Sequence, residues 1–234
     1  MSGVSIEELV LADEPERWAA LGFAVERDAV QLGAVRLRLA GEKAGRGIVG
    51  WSLRGIASTE LDGLPTERTG AAPEGECGPG EGGPGEGRAS ADASRPSVEH
   101  TNGVVAIDHV VAMTPALERT VQALRCAHLD LRRIREQPTP AGAPRQAFFR
   151  LAEVILEVVQ EPAHVIAARG DGGADRPARL WGLAFLAPDL DRTVAALGEH
   201  VSEARDAVQP GRRIATVRRS AGLAVPVALM SPNG

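Results

Sequence analysis

The stretch AIDHVVAMTPALERTVQAL, residues 106–124, sets a histidine in the middle of a short apolar run and follows it at once with a helix start. A buried imidazole needs a hydrogen-bond partner, a metal or a chemical task, so His109 is the residue to explain. The stretch also recurs. Residues 107–124 align without a gap on LWGLAFLAPDLDRTVAAL, residues 180–197, at an offset of 73. Pro115 falls on Pro188, Leu117 on Leu190, and Arg119, Thr120 and Val121 on Arg192, Thr193 and Val194. Ala123 meets Ala196 and Leu124 meets Leu197, which marks a duplicated supersecondary unit.

Both copies read alike. An apolar strand comes first, at 104–113 and 179–187, and a proline then opens a helix, where its missing N–H costs nothing. Leu117, Val121 and Leu124 share one face of the first helix; Leu190, Val194, Leu197 and Val201 share one face of the second. Such a stripe must lie on a sheet. Three strands follow in the first copy, at 129–136, 145–153 and 154–160, and three in the second, within SEARDAVQ, RRIATVRRS and LAVPVALM. The fold class is α+β: tandem β-α-β-β-β modules, 104–165 and 178–234, with the helices laid against the sheet; the resemblance given below implies that they form one cupped mixed sheet with helices outside.

Residues 66–103 carry GPGEG twice in tandem and a single large aliphatic residue, Val98. So little apolar surface cannot offset the ordering entropy, and the segment reads as a disordered linker. Before it, residues 1–65 read as a partial module: a strand in SIEELVLAD, a short helix, two more strands, then a second opening strand in GIVGWSLRGI.

Composition narrows the function. The chain has 234 residues, 44% apolar and 24% charged, with a net charge of −5, so it lacks the basic face a nucleic-acid binder presents. The doublets Arg132–Arg133, Arg212–Arg213 and Arg218–Arg219 lie among acids and read as solvated surface. No apolar run reaches the ~20 residues that span a bilayer, and the acidic N-terminus shows no signal-peptide pattern. With Cys77 and Cys126 in unrelated contexts, the expectation is a cytoplasmic protein with two reduced thiols.

A tandem β-α-β-β-β repeat that opens with IDHVV and closes with ILEVV resembles the vicinal oxygen chelate superfamily, which includes glyoxalase I, bleomycin-resistance proteins and extradiol dioxygenases. The closing segment 212–232 looks most like bacterial glyoxalase-like proteins. The resemblance covers 103–234 and, more weakly, 1–65. It implies that two modules pair so that their sheets form a cup. A divalent metal (Zn, Ni, Mn or Fe) would sit there, held by the first and last strands of each module. His109 stands at the first-module histidine position and Glu157 at its carboxylate partner; Gly182 and Ala228 occupy the second-module positions and cannot ligate. Two donors bind a divalent metal weakly.

Three roles follow for the pair: a single-chain metal site, a relic pair in which Glu157 accepts a hydrogen bond from His109, or half of a four-ligand site completed across a homodimer. A variant uses the N-terminal unit: aligning SIEELVLA with AIDHVVAM puts Glu8 at the His109 position, with the closing position near Arg38, which is not a ligand. Phe148, Phe149 and Arg150 are ligand-binding candidates, with one ring facing the cup and the other the helix layer. His100, His128, His164 and His200 read as surface residues. No phosphate-binding glycine loop or Gly-x-Ser-x-Gly motif is present. The expected function is small-molecule binding in the cup. The alternative is a metal-dependent lyase, isomerase or dioxygenase in which Glu157 doubles as ligand and base.

Overall fold

The computed structural model describes residues 3–71, 98–138, 142, 144–170 and 172–233. The N-terminal part runs β1 (Ser5–Leu11), α1 (Pro15–Ala20), β2 (Val25–Glu26), β3 (Ala29–Leu32), β4 (Val35–Leu39), β5 (Ile48–Arg54) and β6 (Thr66–Thr69). The C-terminal part runs β7 (Ala106–Thr114), α2 (Leu117–Cys126), β8 (Asp130–Arg135), β9 (Gln146–Leu151), β10 (Val154–Gln160) and α3 (Ala163–Ala167), then β11 (Arg179–Leu186), α4 (Leu190–Leu197), β12 (Arg205–Asp206), β13 (Arg213–Thr216) and β14 (Val227–Met230).

The strands form two mixed sheets. One has the order β2-β3-β4-β1-β5-β6 and the other β12-β13-β14-β11-β7-β10-β9-β8. In the larger sheet the opening strands β7 and β11 run antiparallel at the centre, and each has its closing strand, β10 or β14, parallel on its outer side. Strand alternation then sorts the residues. Val110, Ala112, Phe149, Leu156 and Val158 point into the core with no exposure, and His109, Glu157 and Phe148 stay half-buried on the opposite, open face. Leu117 and Leu124 of α2 and Leu190 and Leu197 of α4 cover the core side, as their spacing requires. Asp189 caps α4 by accepting a bond from the Arg192 N–H at 3.0 Å.

The smaller sheet follows the same rules, with β1 parallel to β4 and antiparallel to β5. It shares one continuous core with the larger sheet. Phe185 of β11 meets Trp18 and Phe23 edge-on, with ring centroids 5.9 and 5.7 Å apart. Asp62 accepts from Arg119 at 2.7 Å and from the Thr120 hydroxyl at 2.5 Å, and Asp13 accepts from the Ala224 N–H at 2.6 Å.

Three expectations meet different facts here. Thr66–Thr69, at the start of the segment read as linker, pairs with β5 as a strand, while 72–97 lie outside the described residues. His100 is not a surface residue: it is 3% exposed. Its Nδ1 accepts from the Ala24 N–H and its Nε2 donates to the Gln31 carbonyl, both at 3.0 Å, which requires the neutral ring. Asn102 beside it donates to the Leu21 carbonyl at 2.8 Å, so this segment clips the smaller sheet to the chain that enters β7. Cys126 is disulfide-bonded, which corrects the expectation of two reduced thiols and removes that argument for a reducing compartment. Among the described residues no helix is long and apolar enough to cross a membrane.

Candidate functional site on the open face of the larger sheet

The site begins with an irregularity in β7. Across the central pair, Ile107 faces Phe185 and His109 faces Ala184, which leaves Asp108 as an inserted residue. A bulge of this kind re-aims a side chain, and here it brings two consecutive ones together. The His109 Nδ1 lies 2.7 Å from Asp108 Oδ2.

Asp108 is gripped from its other side. Arg212 places Nη2 2.5 Å from Oδ1 and Nη1 3.3 Å from Oδ2. Arg212 is 6% exposed, and its remaining bonds run to the Ser231 carbonyl and Gln209 Oε1. The doublet read as solvated surface therefore holds a buried guanidinium, which packing and not local sequence decides. Burial pushes the Asp108 carboxyl up, but the hydrogen bonds and charges of His109 and Arg212 outweigh it and hold the group below the usual aspartate value. An ionised Asp108 only accepts, so His109 Nδ1 carries a hydrogen and Nε2 is the nitrogen turned toward the rest of the site.

Glu157 Oε2 lies 3.5 Å from that Nε2. Its other oxygen, Oε1, accepts from the Gln146 side-chain amide. Burial pushes Glu157 above the usual glutamate value, and His109, Gln146, Arg135 and Arg133 offset only part of the rise. Gln146 is 8% exposed, and its Oε1 is buried without a hydrogen-bond partner among the described residues. A buried acceptor of this kind wants a donor.

Around this line the open face is mixed. Phe148 sits opposite Glu157, and Arg133 lies over its ring at 4.6 Å from the centroid, within cation–π range. Arg135 sits opposite Gln146. Arg150 shares the face but spends its Nε on the Ala152 carbonyl at 3.0 Å. Phe149 points the other way into the core with no exposure, so of the two rings only Phe148 reaches the open face. Val111, Val159 and Met113 form a small apolar patch on the same side.

At the two family positions the second module has Gly182 and Ala228, whose side chains cannot ligate. Ala228 lies opposite Ala184, and a Cβ on Gly182 would come within 3.1 Å of the Pro226 carbonyl oxygen. In the smaller sheet Glu8 is bound by Arg36 at 3.0 Å and Arg38 at 2.9 Å, an ion-pair cluster where the larger sheet has His109 and Glu157. His128 and His164 are exposed and stand apart from the site. Two donors, His109 Nε2 and Glu157 Oε2, do not fit a divalent centre held by one chain, because both Asp108 oxygens are engaged by Arg212 and His109. Among the described residues no three His, Cys, Asp or Glu side chains group as a metal site.

Asp108, Arg212 and Gln146 are the members that sequence reading misses. The one usable signal is that an acid follows isoleucine in both opening strands, Ile6–Glu7 and Ile107–Asp108.

No family model and no curated protein matches the chain. Solved structures do. A xylose isomerase-like TIM barrel/4-hydroxyphenylpyruvate dioxygenase fusion protein aligns over 98% of this chain with a TM-score of 0.58 and 13% identity; the chain spans 49% of that protein. A methylmalonyl-CoA epimerase from Mycobacterium tuberculosis aligns over 58% of this chain and 94% of its own, with a TM-score of 0.45 and 17% identity. A Streptomyces coelicolor methylmalonyl-CoA epimerase, in complex with 2-nitronate-propionyl-CoA, aligns over 56% of this chain and 99% of its own, with a TM-score of 0.44 and 20% identity. With its opening strands antiparallel at the centre and each closing strand parallel to its opener, the chain has the vicinal oxygen chelate fold.

Proposed function

We propose that the open face of the larger sheet binds a small organic anion with an apolar part, and that no metal held by a single chain takes part. The observation that carries this is the pair of arginines, Arg133 and Arg135, beside the line His109–Glu157–Gln146; they would take the anionic group, while the orphan Gln146 Oε1 would accept from a hydroxyl or N–H of the same molecule. Arg133 and Arg135 supply positive charge beside that end, and Phe148, Val111 and Val159 supply apolar surface. Arginine is suited to carboxylate recognition because its planar fork matches two oxygens. His109 and Glu157 can then exchange a proton with the bound molecule, since Nε2 is the nitrogen left available by Asp108.

The test is calorimetric titration of the full chain with small 2-oxo carboxylates and dicarboxylates. Saturable binding that weakens about tenfold, ~1.4 kcal/mol, in Arg133→Ala and in Phe148→Ala supports the reading. Binding untouched by either substitution, or no binding across the set, refutes it.

A second reading has its own observation. His109 Nε2 and Glu157 Oε2 are side by side at the two family positions of one module. Two copies facing each other across a two-fold axis would then offer four donors to one shared divalent metal. About half a metal per chain in a dimer supports that arrangement.

A further inference from the structure

The smaller sheet repeats the backbone of the site and puts different chemistry on it. Ile6 faces Leu53 and Glu8 faces Ser52, so Glu7 is inserted in β1 as Asp108 is in β7. Val10 faces Gly50 and Leu11 faces Ile48, so Val49 is inserted in β5 as Trp181 is in β11. The Trp51 N–H donates to the Pro65 carbonyl at 3.1 Å, and the Leu183 N–H donates to the Pro226 carbonyl at 3.0 Å. β6 runs parallel to β5 as β14 runs parallel to β11. In this register Ser52 stands for Ala184, and Glu67, opposite Ser52, stands for Ala228.

A groove of about 330 Å³ lies over that place, lined by Val10, Arg38, Val49, Gly50, Ser52 and Glu67 among others. Its two walls carry opposite charge. On the β4 wall, Glu8 neutralises one of its two partners Arg36 and Arg38, and Arg38 commits only Nε to the pair. Its Nη groups make no hydrogen bond among the described residues, and its side chain is 45% exposed. On the β6 wall, the Glu67 carboxylate is exposed and forms no ion pair among the described residues. Three inter-strand steps of about 4.8 Å separate the backbones of the two walls, before the side chains reach inward. Val10, Val49 and Gly50 make the floor between them small and apolar.

We infer that this groove is a second binding site, for a small zwitterion of amino-acid size whose carboxylate meets Arg38 and whose ammonium meets Glu67. The site is separate from the open face of the larger sheet and does not depend on its function.

The test follows the Trp51 indole N–H by NMR, because that group donates to Thr66 Oγ1 at 2.7 Å on the groove wall. The full chain is titrated with glycine, β-alanine and 4-aminobutanoate, and separately with butanoate and butylammonium. At least one zwitterion should give a saturable shift, weakened about tenfold in Arg38→Gln and in Glu67→Gln and unchanged in Arg133→Ala. Both groove substitutions are at exposed side chains, and unchanged Trp18 and Trp181 indole signals would show that the fold is kept. The inference is overturned if no zwitterion gives a saturable shift. It is also overturned if butanoate or butylammonium alone binds as well, or if Arg133→Ala and not Arg38→Gln removes binding.

Discussion

β1 and β7 carry the same backbone device and reach different ends. Each inserts one acidic residue beside the position that faces the open side of its sheet: Glu7 next to Glu8, Asp108 next to His109. In β1 the inserted acid pairs with Arg54, whose side chain is 57% exposed, and the neighbouring Glu8 is tied into arginines of its own sheet. In β7 the inserted acid meets Arg212, whose side chain is 6% exposed, and turns to fix the neighbouring imidazole. The bulge supplies the geometry; what reaches over it decides the chemistry. A surface arginine leaves an ordinary ion pair, whereas a buried one makes Asp108 a fixed acceptor that orients His109.

The largest expected effect tests whether the two sheets stand on one core. Phe185→Ala removes the ring that meets Trp18 and Phe23, and should cost about 3–5 kcal/mol of unfolding free energy by urea titration. A loss under about 1 kcal/mol would mean the sheets do not depend on each other there.

Substituting the inserted acids measures the comparison itself. Asp108→Ala strands the buried Arg212 guanidinium and should cost about 3 kcal/mol, while Glu7→Ala, at an exposed pair, should cost less than about 1 kcal/mol. Equal costs would show that burial of the arginine is not what separates the two strands.

His100 gives the next effect, and it depends on pH. Burial lowers its pKa from the ordinary 6.5, against a smaller opposing effect of the Gln31 carbonyl. A lowered histidine favours folding in full above about pH 6.5, and that contribution falls as the pH drops from there toward the folded-state value. Thermal melts from pH 7.5 down to pH 5 should show a steeper loss for the natural chain than for His100→Gln. Parallel curves would contradict the neutral clip.

The smallest effect sharpens the contrast between module halves. Ala228→Glu places a carboxylate at the closing strand of the second module, giving the open face a third donor. Zn²⁺ or Mn²⁺ affinity should rise by about tenfold, ~1.4 kcal/mol, by competition with a chromophoric chelator. No change would mean that β14 does not bring that position within reach of His109 and Glu157.

Much of this architecture is legible in the chain. The apolar alternation of 106–114 and 154–160, the 73-residue repeat and the proline-led helices give the modules of the larger sheet, because each feature reports burial of one face. Strand alternation also anticipates that Phe148 and Phe149 part company. The bulge is a property of pairing between β7 and β11, so no local pattern announces it. Arg212 reads as surface because a doublet of arginines has no periodicity to place it, and only the turn before β13 brings it to Asp108. His100 follows a glycine-rich tract whose composition masks a residue that bonds to Ala24 and Gln31, far away in sequence.

The account rests on a site with two donors and no more among the described residues of each chain. Metal content per chain, measured beside mass in solution on protein purified without chelator or affinity tag, tests this most directly. The account predicts no stoichiometric metal, and none retained after incubation with Zn²⁺, Ni²⁺, Mn²⁺ or Fe²⁺. One tightly held metal per chain in a monomer, lost in His109→Ala with the fold intact, would contradict it.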